Sequence, residues 1–284
     1  MNWSESISRA IEYIENNLTN DITVEDIAKH LYISSFYFQK GFSMLCGYSI
    51  SEYIRNRKLS LAGHEILHTN NKIIDIALKY GYDSPDSFTK AFTRFHGSTP
   101  TEVRKGGKIK DFAPLKINLI LKGGYTMEYK VEEKENFRVI GLKDSFQYET
   151  ANQEIPKIWK KFFKKNIFNK IKPKYAINID THMGSELFEY VIGDDYDSSL
   201  KIPKGFEIIE IPKFTWVIFS CIGPAGMKMK EINERIFNEW LPNSNDYEIA
   251  AGYNIEMYSN PENYKKGIDD EKYYCEVWIP IKRK

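Results

Sequence analysis

Two stretches of this chain say nearly the same thing about fifty residues apart, and that repeat constrains the fold more than any other feature. "DIAKHLYISSFYFQKGFSMLCGYSISEYIR" from Asp26 and "DIALKYGYDSPDSFTKAFTRFHGSTPTEVR" from Asp75 share Asp-Ile-Ala, then Phe38/Phe88, Lys40/Lys90, Phe42/Phe92, Gly47/Gly97 and Glu52/Glu102. The offset is 49 at Asp-Ile-Ala and 50 afterwards, so the turns differ by one residue. Each copy predicts a short helix (Val24 to His30; Ile73 to Tyr80), a tight turn, and a second helix opened by a serine that can cap free N–H groups. That serine is Ser34 or Ser35 in the first copy and Ser84 in the second, where Pro85 takes the first helical position. The unit is a helix-turn-helix, present twice.

In the second helices Phe38, Phe42 and Leu45, like Phe88, Phe92 and Phe95, fall at i, i+4, i+7, the spacing of an apolar stripe on a core. The opposite face carries Phe36, Gln39, Lys40 and Ser43 in the first unit, and Asp86, Ser87, Thr89, Lys90 and Thr93 in the second, with Arg94 beside them. Polar helix faces are usually plain solvated surface. Gln, Lys, Ser and Thr are, however, the side chains that hydrogen-bond base edges and phosphates in a major groove. Two copies on one rigid body would reach groove faces about one turn, ~34 Å, apart.

"DIAKHLYISSFYFQKGFSMLCGYSISEYIRNRKL" followed by "KIIDIALKYGYDSPDSFTKAFTRFHGSTPTEVRK" resembles the AraC/XylS-type DNA-binding domain over roughly residues 3 to 106. The resemblance implies seven helices, with two recognition helices joined by a long central one. It places base-facing roles on Phe36, Gln39 and Lys40, and on Asp86, Ser87, Thr89 and Lys90. Asp86 stands where relatives often carry a neutral hydrogen-bonding side chain; it can accept from a cytosine amino group or cap its helix.

The segment "RKLSLAGHEILHTNNKIIDIA" contains His64-Glu65-Ile66-Leu67-His68, the H-E-x-x-H pattern of zinc peptidases. Its place in the repeat makes it part of the central linking helix, with Leu59, Ala62 and Ile66 spaced as a packing surface. A third zinc ligand is missing at any familiar spacing, since His30, His96 and His182 form no motif with the pair. No resident metal and no cofactor is expected.

Composition sets the outer bounds. A chain of 284 residues, 42% hydrophobic and 28% charged, has room for two globular domains. No apolar run approaches the ~18 residues of a membrane helix, and no secretory leader is visible, so the expectation is a cytoplasmic protein. Cys46, Cys221 and Cys275 are too few and scattered for a disulfide framework and read as small buried hydrophobes. A net charge of +1 argues against bulk attraction to nucleic acid. Yet acids crowd the start (Glu5, Glu12, Glu15, Asp21, Glu25, Asp26), while Lys40, Arg55, Arg57, Lys58, Lys90, Arg94, Arg104 and Lys105 follow, which leaves room for a basic face.

After residue 106, "KGGKIKDFAPLKINLILKGGYTM" is bounded by glycine pairs and lacks helical periodicity; "LKINLIL" reads as a short strand inside a connector. Beyond it "YKVEEKENFRVIGLKDSF", "IPKIWKKFF", "YAINIDTH" and "LFEYVIGDD" are echoed by "FEIIEIPKFTWVIFSCIG", "INERIFNEWL", "YNIEMYSN" and "YCEVWIPIK". Each half predicts strand, strand, helix, strand, strand, a duplicated α+β unit with a cleft between its halves. The set "IPKIWKKF", "FEYVIG", "FNEWLP", "YNIEMY" and "CEVWIPI" is similar to the GyrI-like effector-binding domain over about residues 127 to 284. That resemblance implies a pocket for flat, apolar, often cationic compounds with an acidic residue at its base.

In "YYCEVWIPI", alternation puts Cys275, Val277 and Ile279 on one face and Tyr274, Glu276 and Trp278 on the other. A carboxylate flanked by two rings suits a flat cation. Trp159, Tyr190, Trp216 and Tyr253 are further candidates for pocket walls. The expectation is thus multidomain: an all-α double helix-turn-helix domain (1–106), a linker (107–126), and an α+β GyrI-like domain with a duplicated strand-helix-strand unit (127–284). Its partners would be double-stranded DNA, a small-molecule effector and RNA polymerase, with no membrane. A competing expectation keeps this architecture but makes the second domain a small-molecule hydrolase, using Glu189 and Glu276 at equivalent places of the two halves.

Overall fold

In the computed structural model, residues 3–116, 126–148, 150–164, 171–180, 187–199 and 201–284 are described. Seven helices come first: α1 (Trp3–Asn16), α2 (Val24–Leu31), α3 (Ser35–Cys46), α4 (Ile50–His68), α5 (Ile73–Lys79), α6 (Pro85–His96) and α7 (Pro100–Arg104). Their limits follow from capping. Thr23 with Asp26, and Thr99 with Glu102, form capping boxes at α2 and α7; the Ser49 and Ser84 hydroxyls accept the N–H groups of Glu52 and Ser87. Gly47 and Gly97 end α3 and α6 in the left-handed region, at φ of 79° and 80°. The first turn differs from the second at one telling place: Tyr32, 93% exposed, holds φ 54° where the repeat has Gly81 at 82°. A side chain there costs about 1–2 kcal/mol.

Helix α4 supplies both helical cores. Ile50 and Tyr53 pack with Phe38 and Phe42 of the first unit, and Leu59, Ala62 and Ile66 pack with Phe88 and Phe92 of the second. Leu45 does not join the stripe expected for it; it lies in the last turn of α3, two residues before the capping Gly47, and is 43% exposed. Arg57 does not belong to a basic face either. It is buried, its Nε and Nη2 donate to Glu15 at 2.9 and 2.8 Å, and its Nη1 donates to the Phe112 carbonyl. That bond, with Leu115 N–H donating to the Tyr53 hydroxyl at 3.1 Å, lays residues 109–116 along the helical half. The strand expected at "LKINLIL" falls mostly outside the described residues; Leu115 and Lys116 are irregular.

The second half is one antiparallel sheet. Its strands are β1 (Lys130–Lys134), β2 (Phe137–Gln147), β3 (Tyr175–Ile179), β4 (Leu187–Asp195), β5 (Glu207–Ile211), β6 (Phe214–Ile222), β7 (Tyr247–Ile249), β8 (Tyr253–Tyr258) and β9 (Tyr274–Arg283). The order is β1-β6-β9-β8-β3-β4-β2-β5, with β7 added on β9. Read from either end it is the same pattern: β3 pairs with β8 at the centre, and each half donates its first strand to the other. Helix α8 (Ala151–Lys164) packs on β2; α9 (Ala225–Arg235), continued by a π-helical turn (Ile236–Trp240) and α10 (Leu241–Asn243), packs on β6 and β9. The duplicated strand-strand-helix-strand-strand unit is therefore present, as the sequence implied. Cross-strand pairing makes two faces. One carries Cys275, Val277 and Ile279 beneath α9, in the same core as α1, α2 and α3. The other carries Trp278, Trp216, Tyr253 and Tyr175.

Candidate functional site

Helix α6 presents an open face. Asp86, Ser87, Lys90 and Arg94 are exposed, with Thr89 and Thr93 half-buried beside them. Ser87 closes the helix start, its Oγ donating to the Ser84 carbonyl at 2.9 Å, and Asp86 sits in the first turn, where the helix dipole favours a carboxylate. That leaves Lys90, Arg94 and Thr89 as the projecting hydrogen-bonding groups.

Helix α3 presents the same pattern but not the same openness. Phe36 is 3% exposed and Tyr37 fully buried, while Gln39, Lys40 and Ser43 are half-buried. The covering residues belong to the second half of the chain. Phe36 N–H donates to Asp180 Oδ2 at 2.7 Å, the Tyr37 hydroxyl to the Tyr253 carbonyl at 2.5 Å, and Lys40 Nζ to Asn254 Oδ1 at 2.8 Å. Burial lowers the pKa of the Lys40 ammonium, partly opposed by Glu256. Nothing in the sequence pointed to Asp180 or Asn254, because their partners lie more than a hundred residues away.

On the other sheet face Glu276 is 5% exposed. Its Oε1 accepts from the Tyr274 hydroxyl at 2.5 Å and its Oε2 from Trp278 Nε1–H at 2.6 Å, so the three residues expected to share a face do so. Trp278 continues into a run of rings: Trp216 at 6.1 Å, Tyr175 at 6.0 Å and Phe137 at 6.4 Å, then Phe214 to Trp216 at 5.6 Å and to Tyr253 at 5.5 Å. Phe137 and Phe214 open equivalent strands of the two halves, so the repeat itself was a usable sign of them. Two lysines lie against this face: Lys134 Nζ is 4.8 Å from the Trp278 ring centroid, and Lys130 Nζ 3.9 Å from Glu276 Oε1. Trp216 Nε1 is buried and without a hydrogen-bond partner among the described residues.

Trp159 and Tyr190 do not lie on this face. Tyr190 has the opposite parity to Glu189 along β4, so it points beneath α8, where its hydroxyl accepts from Trp159 Nε1–H at 3.0 Å within a separate core. Glu189 does occupy the place equivalent to Glu276: it pairs with Ser145 as Glu276 pairs with Ser220. But its side chain is 41% exposed and Lys143 Nζ holds it at 3.0 Å, so the two carboxylates do not form a sheltered acid–base pair. In the H-E-x-x-H segment, Glu65 accepts from Lys79 Nζ at 2.7 Å, Asn71 Nδ2 at 3.1 Å and the Tyr80 hydroxyl at 3.1 Å, tying the end of α4 to α5. His64 Nε2 lies 3.2 Å from Asp111 Oδ1.

Comparison with known proteins agrees with both halves. A helix-turn-helix domain model matches residues 27–106, and an integron-associated effector binding protein model matches residues 130–281, more than half of the chain. The HTH-type transcriptional activator AarP of Providencia stuartii is 41% identical over 101 residues, 36% of this chain and 75% of that protein. The chain belongs to the AraC-type transcription regulators. Behind the DNA-binding domain it carries a GyrI-like, integron-associated effector-binding domain. Among AraC-type relatives, the right origin-binding protein of Escherichia coli K12 matches along the length, at 26% identity over 95% of this chain and 96% of that one. The integron cassette protein VCH_CASS2 of Vibrio cholerae is 16% identical with a TM-score of 0.41, covering 54% of this chain and 95% of that one. Among the described residues no helix is long and apolar enough to cross a membrane.

Proposed function

We propose that this regulator reads DNA with the outward faces of α3 and α6 and takes a flat, apolar cation on the Glu276 face of its sheet. The first part assigns base and phosphate contacts to Phe36, Gln39, Lys40 and Ser43, and to Asp86, Ser87, Thr89, Lys90 and Arg94; RNA polymerase is the partner such an activity acts on. The domain limits that go with it are 1–106, 107–126 and 127–284.

The observation that carries the ligand class is the environment of Glu276: a buried carboxylate whose neighbours are aromatic rings, one of them with a lysine ammonium already over its face. An aromatic cation replaces both Lys134 over Trp278 and the attraction of Lys130 to Glu276, and it loses less hydration than an ammonium on entry. Tyr274 and Tyr253 offer rings to it, and Trp216, wholly buried in the same aromatic run, backs them.

Tryptophan fluorescence of the whole chain, titrated with tetraphenylphosphonium, tests this. Saturable quenching is expected, weakened at least about tenfold (~1.4 kcal/mol) in Glu276→Gln. Equal affinity in the two proteins removes Glu276 from the site and the cationic class with it.

A further inference from the structure

The two recognition helices come from one repeat, yet one is open and the other covered. This contrast reaches beyond ligand class to how the DNA-reading surface is regulated, and it rests on the reading of α3 as a DNA-reading helix. The covering surface is a groove on the helix-bearing face of the sheet, where Asp180 follows β3 and Tyr253 and Asn254 begin β8.

What the groove offers α3 is a set of acceptors. The Asp180 carboxylate takes the N–H of Phe36, in the first turn of a helix whose Ser34 makes no side-chain cap. Asn254 offers its amide oxygen to Lys40, and Tyr253 its carbonyl to Tyr37. A carboxylate at a helix N-terminus and an amide oxygen on a lysine occupy the positions that a phosphate and a base-edge acceptor take when such a helix enters a major groove. The apolar part fits as well: the Phe36 ring lies 6.2 Å from Phe188 and 6.3 Å from Tyr148. Gly41 allows a close approach as well: a Cβ there would stand 3.0 Å from Phe237 of the π-helical turn, besides 2.1 Å from the Trp3 ring of α1, whereas the second unit has Ala91 at this place.

We propose that this groove is a docking site for α3 that presents DNA-like acceptors, and that DNA and the effector-binding domain compete for the same atoms of that helix. At rest the chain reads DNA with α6 alone, and the first half-site is engaged only when the groove lets α3 go. Strand β8 joins the groove to the ligand face: Tyr253 gives its ring to the aromatic run and its carbonyl to Tyr37, and Asn254 turns to Lys40.

The test uses the whole chain and a duplex selected by it from random-sequence DNA. Asp180→Ala and Asn254→Ala should each bind that duplex more tightly, by about tenfold if the docked form outnumbers the free one by about that ratio, and hydroxyl-radical protection should lengthen from one half-site to two. Misfolding lowers affinity, so a rise cannot come from damage; if Asp180→Ala does not fold, Asn254→Ala decides alone. Unchanged affinity and footprint in a folded Asn254→Ala overturn the docking site and leave α3 as a DNA-reading helix. A rise that survives adding Lys40→Ala overturns the DNA-reading role of α3, and the proposal with it.

Discussion

His96 shows what a single residue contributes that no motif announces. It is buried at the end of α6, its Nδ1 accepting from Lys110 N–H and its Nε2 donating to the Leu59 carbonyl, both at 3.0 Å, so the ring is held neutral. Burial lowers its pKa below the ordinary 6.5. The unfolded chain therefore binds the proton more readily, and the stability that His96 supplies is whole above about pH 6.5 and drains as pH falls below it. Urea unfolding at pH 5.5 and 7.5 should show wild type losing stability on acidification by no more than ~1.4 kcal/mol per pH unit from this group, with the loss reduced in His96→Gln. An identical pH dependence in the two proteins would exclude His96 as its source. Gly63 is part of the same arrangement: a Cβ there would stand 2.6 Å from the imidazole. Glu65, the would-be catalytic residue of the peptidase pattern, shows the converse, a motif letter whose three partners are all structural.

At the scale of elements, α4 is the part on which the helical half depends. It supplies side chains to both cores, and through Arg57 it gathers α1 and the segment after α7. Because the buried Arg57 bonds bidentately to a half-buried Glu15, removing one leaves the other without its main partner. Arg57→Ala is expected to lower unfolding free energy by roughly 3 kcal/mol in urea titrations; a change under about 0.5 kcal/mol would mean the pair is replaceable by water. The repeat predicted α2, α3, α5 and α6, the family resemblance implied the full seven, and the i, i+4, i+7 spacing found most of the buried faces of α3 and α6, since packing demands that spacing. It could not tell which outward faces stay outward, and α3 is the case in point: Phe36 and Tyr37, where the second unit has Asp86 and Ser87, were the only hint.

At the scale of the molecule, the proposed DNA-reading role of α6 predicts a salt dependence set by its open face. Lys90→Ala should weaken binding to all sequences and reduce the slope of log affinity against log salt by about 1, the mark of one lost phosphate contact. A slope equal to wild type would place Lys90 off the backbone. The sheet supplies the complementary architecture: its two halves exchange first strands and meet where β3 of one pairs with β8 of the other, and β8 carries both Tyr253 of the aromatic run and Asn254 of the α3 groove.

The double helix-turn-helix, the duplicated α+β unit and the shared face of Tyr274, Glu276 and Trp278 were determined by sequence alone, because each rests on local periodicity or on a repeat. Tertiary structure decided the rest. It sent Trp159 and Tyr190 to the far side of the sheet, and brought the Cys221 and Cys275 thiols to 2.9 Å across β6 and β9, although the sequence separates them by more than fifty residues. It also laid Asp180 and Asn254 on α3. Those contacts join residues with no fixed spacing, so only the register of the sheet and the packing of one domain on the other could set them.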